Sequence, residues 1–157
     1  MNQIAFQIPL RPISLNHSHR LVRFGKRISR IKTEAAKDFE SEFLFHLQEY
    51  NGLRHHIIDG YDPRKHSIEL EAYFYMNEGE YFTKPKKGFK TINKRCMDLD
   101  NMIKVANDQI FNWLGIDDSQ VTKITAQKIP TNDEATMVFR ISLASIPELF
   151  VISHLEV

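Results

Sequence analysis

The most constraining feature of the chain is a ten-residue alternation. Ile68, Leu70, Ala72, Phe74 and Met76 are apolar, and Ser67, Glu69, Glu71, Tyr73 and Tyr75 stand between them. Successive side chains of a strand point to opposite faces, so this pattern predicts a half-buried strand that needs an apolar layer against it. Shorter alternations agree: Ile4, Phe6 and Ile8 before Pro9, then Met137, Phe139, Ile141 and Leu143. Residues 121–129 read as a further strand, with a turn at Thr131, Asn132 and Asp133, and residues 21–29 as a ribbon around Gly25.

Two helices separate these strands. Thr33 offers an N-cap, Glu34 an acid in the first turn, and Ala36, Phe39, Phe43, Leu47 and Tyr50 follow at helical spacing, with an end expected near Asn51 and Gly52. Leu99, Ile103, Ala106, Ile110 and Trp113 are read as the buried face of a second helix that Gly115 terminates. Residues 54–65 look polar and irregular, 77–95 form a long basic loop, and the apolar tail 145–157 shows no decisive period. The order predicts a single compact domain of the α+β or α/β class, with a small mixed β-sheet and two main helices. Its core is expected over about residues 3–143, with 144–157 as a C-terminal extension.

At 157 residues the chain can bury a core without staples. No apolar run approaches the ~20 residues of a membrane helix, and the first residues do not read as a secretory signal. One cysteine, Cys96, excludes an internal disulfide and a Cys-based zinc site, so a reduced cytoplasmic setting is expected. The pairs His17/His19 and His55/His56 read as surface or loop histidines.

The formal net charge of +1 conceals a strong segregation. Residues 1–33 hold seven basic side chains (Arg11, Arg20, Arg23, Lys26, Arg27, Arg30, Lys32) and no acid, and residues 84–95 hold six (Lys84, Lys86, Lys87, Lys90, Lys94, Arg95), again with none. The rest of the chain carries eight basic residues against all 20 acids. Two acid-free basic segments in a near-neutral protein point to a polyanionic partner, DNA or RNA. Tyr81, Phe82 and Phe89 lie in or beside the second segment, where aromatic rings can stack on bases.

Residues 98–118 hold five aspartates (Asp98, Asp100, Asp108, Asp117, Asp118) and one basic residue, Lys104. Capping a helix needs only one carboxylate, and an Asp–Lys pair at i,i+4 contributes only a few tenths of a kcal/mol. Clustered carboxylates instead suit a hard divalent cation such as magnesium, which assists in-line displacement at phosphorus while a nearby lysine neutralises the phosphate. Asp118 can rejoin Asp98 and Asp100 in one chain only if the following strand runs back along the helix and presents that end of the sheet; otherwise another chain or a different fold path must complete the set.

The run Arg95, Asp98-Leu99-Asp100-Asn101, Lys104, Asp108 and Gly115-Ile116-Asp117-Asp118-Ser119-Gln120-Val121 resembles the RusA family of Holliday-junction resolvases, and Pro12-Ile13-Ser14-Leu15-Asn16 with Arg20 resembles that family's N-terminal motif. The arginine stands further upstream than in the family, where it directly precedes the first aspartate, and the chain has extra residues near 51–65. The resemblance implies a dimeric magnesium-dependent endodeoxyribonuclease, often carried by prophages and acting in DNA recombination and repair, with manganese able to replace magnesium. It implies Asp98, Asp100 and Asp118 as catalytic, metal-holding carboxylates and Lys104 as the essential lysine. Arg20, Lys84, Lys86, Lys87, Lys90, Lys94 and Arg95 become the expected DNA contacts for a four-way junction, with Asn16, Asn101, Asp108 and Asp117 in secondary roles. A non-catalytic branched-DNA-binding module with structural aspartates is the alternative. A phosphatase of the Asp-x-Asp type ranks last, because residues 91–97 are polar and basic and Asp100 is followed by Asn101-Met102.

Overall fold

A computed structural model describes residues 2–13, 19–84, 88–93 and 96–146. Four strands form a mixed sheet in the order β1-β6-β4-β5: β1 (Gln3–Ile8), β4 (His66–Asn77), β5 (Val121–Thr131) and β6 (Thr136–Ser145). β6 pairs antiparallel with both β1 and β4, and β4 pairs parallel with the edge strand β5. A separate two-stranded ribbon joins β2 (His19–Phe24) to β3 (Arg27–Lys32). The helices are α1 (Glu34–Gln48), α2 (Asn51–Ile58), the single turn α3 (Glu78–Tyr81) and α4 (Leu99–Leu114).

The alternations place the core. Ile4, Phe6, Ile8, Ile68, Leu70, Ala72, Phe74, Met76, Met137, Phe139, Ile141 and Leu143 are all buried on one face of the sheet. Phe139 is the hub, with ring centroids 5.6 Å from Phe6, 6.0 Å from Phe43 of α1 and 6.1 Å from Phe74. Burying each such large side chain stabilises the fold by about 1.5–3 kcal/mol. The opposite face is more polar: Glu71 lies directly across from Arg140, which pairs with it at 3.1 Å, and Tyr73 donates to the same carboxylate at 2.8 Å. The Thr33 hydroxyl caps α1 by accepting from Ala36 N at 3.2 Å, as its sequence predicts.

Two expectations are corrected. Residues 54–58 are helical rather than irregular, in a helix that begins at Asn51 after α1 stops at Gln48, so Gly52 lies inside α2 and does not end α1. Tertiary contacts make that short helix: Ile57 is fully buried and the Trp113 indole donates to Asn51 Oδ1 at 2.9 Å. The buried stripe of α4 is also rotated from the predicted face. Met102, Val105, Ala106, Gln109, Ile110, Phe111 and Leu114 are buried, while Leu99, Ile103 and Trp113 are only half-buried. The apolar stripe covers about half of the helix and takes in both the predicted and the buried residues, so the centre of the buried face shifts within it according to how the helix sits on the sheet. The tail from residue 147 onward lies outside the described residues.

Because β4 and β5 are parallel, the connection through α4 must return the chain across the sheet. β5 therefore runs antiparallel to α4, beginning where the helix ends and finishing beside its start, where Lys128 Nζ donates to the Met97 carbonyl at 3.0 Å.

Candidate active site

The two halves of the acidic motif sit at opposite ends of α4. At the N-terminal end Asp98 occupies the N-cap position with φ −68° and ψ 136°, yet its carboxylate makes no capping hydrogen bond. Asp100 follows in the first turn, and Lys104 one turn later; all three are exposed. The ion pairs among the described residues all lie elsewhere, so the i,i+4 pairing of Asp100 with Lys104 does not form. These carboxylates and this ammonium are thus not spent on local structure, which is what the structural account of the motif requires. Asn101 is half-buried beside them.

An open hollow of about 460 Å³ adjoins this end, lined by Leu99, Asp100, Ile103, Lys104 and Asn107 from α4 and by Ile124 and Ala126 from the edge strand. Ile124 is 45% exposed, and the buried Oδ1 of Asn107 has no hydrogen-bond partner among the described residues.

The C-terminal end is built by a left-handed glycine. Gly115 (φ 71°) turns the chain out of α4 while Ile116 N donates back to Phe111 O at 3.3 Å. Arg54 of α2 satisfies two of the last carbonyls, its Nε reaching Trp113 O at 2.6 Å and its Nη2 reaching Leu114 O at 3.3 Å. Beyond the turn the adjacent aspartates divide their roles. Asp117 caps the short 3-10 turn Asp118–Gln120 by accepting from Ser119 N at 2.8 Å, and hydrogen bonding to Ser119, through its side chain first and its backbone N–H second, holds the Asp117 pKa below the usual carboxylate value. Asp118 is left exposed. Gln120 accepts from the Tyr61 hydroxyl at 3.1 Å, tying the turn to the residues after α2. Burial, and next the nearby charge of Asp117, push that hydroxyl's pKa up.

Asp118 shares a hollow of about 430 Å³ with Asp108, Phe111, Asn112 and Asp117. Burial, with the Asp118 charge second, raises the Asp108 pKa, against the opposing influence of Lys32. A 16-residue helix spans about 24 Å at ~1.5 Å per residue, so Asp118 stands that order of distance from Asp98 and Asp100. β5 does run back along α4, but Asp118 precedes it and stays at the far end. Among the described residues no three His, Cys, Asp or Glu side chains gather closely enough to hold a metal ion. One subunit does not bring the three aspartates together.

Of the expected DNA contacts, Arg20 is exposed on β2 and Lys84 on the loop after α3. Lys90 pairs with Glu78 at 2.9 Å and lies over the Phe82 ring at 5.7 Å. Phe89 is 77% exposed, whereas Tyr81 and Phe82 pack edge to face with centroids 4.8 Å apart. Asn16, Lys86, Lys87, Lys94 and Arg95 lie outside the described residues. Sequence reasoning missed Arg54, Asn107 and Lys128. Arg54 was visible only as part of a basic-histidine run, and nothing local marks the other two.

The family model for endodeoxyribonuclease RusA matches residues 9–141, a span that includes the ribbon and both ends of α4. The chain belongs to the RusA family of endodeoxyribonucleases. RusA membership implies Holliday-junction resolution, with branched DNA as substrate and a divalent metal as cofactor. No curated protein matches the chain significantly. The mixed-sheet α+β domain agrees with the RusA assignment. Among the described residues no helix is long and apolar enough to cross a membrane.

Proposed function

We propose that two copies of this chain form a magnesium-dependent resolvase that makes paired cuts in four-way DNA junctions during recombination and repair. Each site takes Asp98 and Asp100 from one subunit and Asp118 from the other, and the whole chain serves as one endonuclease domain in the cytoplasm. The observation that carries this reading is the N-terminus of α4, where Asp98 stands at the cap without capping and Asp100 and Lys104 stay unpaired.

The donor set is carboxylate oxygen alone, which fits a hard cation such as magnesium or manganese, and one subunit supplies only part of it. A bound magnesium ion would supply positive charge against the developing charge of the phosphorane-like transition state. Asp98 and Asp100 of one subunit and Asp118 of the other would hold that ion, and Lys104 would neutralise the scissile phosphate or assist the leaving oxygen. Antiparallel contact of the two α4 helices sets the start of one beside the end of the other, as a two-fold axis through their middle requires. Asn107 stands near that middle with an unpartnered buried oxygen, beside half-buried Ile103 and exposed Ile124. A symmetric second copy would cover this patch and give the amide a partner. Lys84, Lys86, Lys87, Lys90, Lys94 and Arg95 hold junction arms with Arg20, and Phe89 stacks at the opened branch point. Asn16, Asn101, Asp108 and Asp117 support the site without holding the ion.

The test is cleavage of a four-way junction against linear duplex, with magnesium or with EDTA. The junction should be cut only with the metal, and Asp100→Asn should bind without cutting. Equal cutting of both substrates, or cutting by Asp100→Asn, overturns the reading. Tight, salt-sensitive binding with no cleavage under any divalent metal establishes the non-catalytic module instead.

A further inference from the structure

The β2–β3 ribbon stands apart from the main sheet. Its strands pair from His19 with Lys32 to Phe24 with Arg27, leaving a two-residue loop at Gly25 (φ 60°) and Lys26. An isolated hairpin is marginally stable in water and ordinarily hides its apolar residues. This one does not: Leu21 is 75% exposed, Ile28 66% and Phe24 62%.

The register sorts the side chains. Directly opposed residues share a face, so Leu21, Arg30, Arg23 and Ile28 form one fully exposed face that alternates apolar and basic groups. The other face carries Val22, Ser29 and Ile31, all half-buried, with Phe24 and Arg27 exposed at the tip. Residues 19–32 contain six Lys and Arg side chains and no acid. At the foot of the ribbon Lys32 pairs with Glu40 of α1 at 2.6 Å. The same corner is lined by His19, Val105 and Asp108, and Asp108 in turn feels the charge of Asp118. The ribbon is therefore rooted at the Asp118 end of the candidate site.

We infer that this ribbon lies in a groove of a duplex arm and leads the strand to be cut past Asp118. The inference rests on the nuclease reading above and names the element that grips the substrate. A six-residue strand is about 20 Å long, and a two-stranded ribbon fits the DNA major groove. Arg23 and Arg30 meet phosphates on either side, while Leu21 and Ile28 pack on sugars and thymine methyl groups. A second copy of the chain is the competing occupant, but two acid-free ribbons brought together repel each other.

The experiment is fluorescence anisotropy in EDTA, with labelled four-way junction and linear duplex over a range of salt. The double variant Arg23→Ala/Arg30→Ala should lower the slope of log affinity against log salt by about 2 and weaken binding to both DNAs. Leu21→Ser/Ile28→Ser should weaken binding with the slope unchanged. Thermal melts and sedimentation of both variants should match the parent protein. Parent-like affinity and slope in both variants overturns the inference, as does conversion to monomers by Leu21→Ser/Ile28→Ser. Cleavage reports separately on the nuclease reading: a parent protein that cuts nothing yet shows the altered slopes loses that reading and keeps the ribbon. A parent that cuts junctions while both variants bind normally keeps the reading and loses the ribbon.

Discussion

The Arg54 guanidinium donates from Nε to the backbone carbonyl of Trp113 at 2.6 Å, locking α2 onto the last turn of α4. A second bond from Nη2 reaches Leu114 O at 3.3 Å. Two carbonyls that the helix cannot satisfy internally thereby gain a charged donor just before Asp117 and Asp118. Arg54→Ala should cost about 1.5–3 kcal/mol, the range for hydrogen bonds to a charged group, and lower Tm by about 3–10 °C. Arg54→Lys should recover only part of this, because an ammonium lacks the planar fork. Thermal melts check both, and cleavage should fall more than junction affinity because the turn carrying Asp118 loosens.

Gly115 tests the same corner through the backbone. At φ 71° any side chain is strained, whereas an added Cβ would meet Arg54 Nη2 at an ordinary 3.6 Å. The cost of Gly115→Ala is therefore conformational, about 1–2 kcal/mol. Urea unfolding should show a lower midpoint with an unchanged m-value.

How far the sequence revealed this arrangement differs element by element. The strands announce themselves because one face is buried and the other wet: Ile68 to Met76 appear in the structure in the phase their alternation demands. α4 deceived because Leu99 and Ile103 look like core and instead line an open hollow. Residues at the rim of a core carry the same hydrophobic signature as residues inside it. α2 was hidden because its stability comes from Ile57 and from bonds to α4, partners some sixty residues away in sequence. The acidic motif was legible as chemistry, since its residue types and spacing resemble the RusA pattern. Its geometry was half legible: Asp118, three residues past Gly115, has to stand at the C-terminal end of α4, and only the parallel pairing of β4 with β5 shows that the strand after it runs back along the helix without carrying Asp118 along.

Asp108 and Asp117 should respond oppositely to pH. Burial and Asp118 raise the Asp108 pKa, so its favourable contribution exists below the unfolded value of 3.8 and is lost as pH rises through the folded value. Asp108→Asn should therefore raise Tm slightly at neutral pH, and the gain should vanish below about pH 4. The effect is small because the side chain is only partly desolvated and solvent screens its charge. Hydrogen bonds from the Ser119 side chain and, next, its backbone N–H lower the Asp117 pKa, so that carboxylate stabilises the turn above 3.8 and ceases to do so as pH falls through its folded value. Asp117→Ala should lower Tm at neutral pH, with the deficit narrowing in acid. Melting curves of both variants from acid to neutral pH check the two signs.

A site shared between subunits makes a prediction that a site within one subunit does not. Asp100→Asn and Asp118→Asn should each abolish cleavage, by about 10² or more, without abolishing junction binding. When the two inactive proteins are mixed and allowed to exchange subunits, the heterodimer gathers both substitutions into one site. Its other site then takes unaltered Asp98 and Asp100 from one chain and unaltered Asp118 from the other. Random exchange should restore about a quarter of the parent number of sites. Because each heterodimer has one working site, the products should be singly nicked junctions and not resolved duplexes. A mixture that stays inactive after exchange, verified by differently tagged subunits, places all three carboxylates in the same chain and rejects the antiparallel contact of α4 helices.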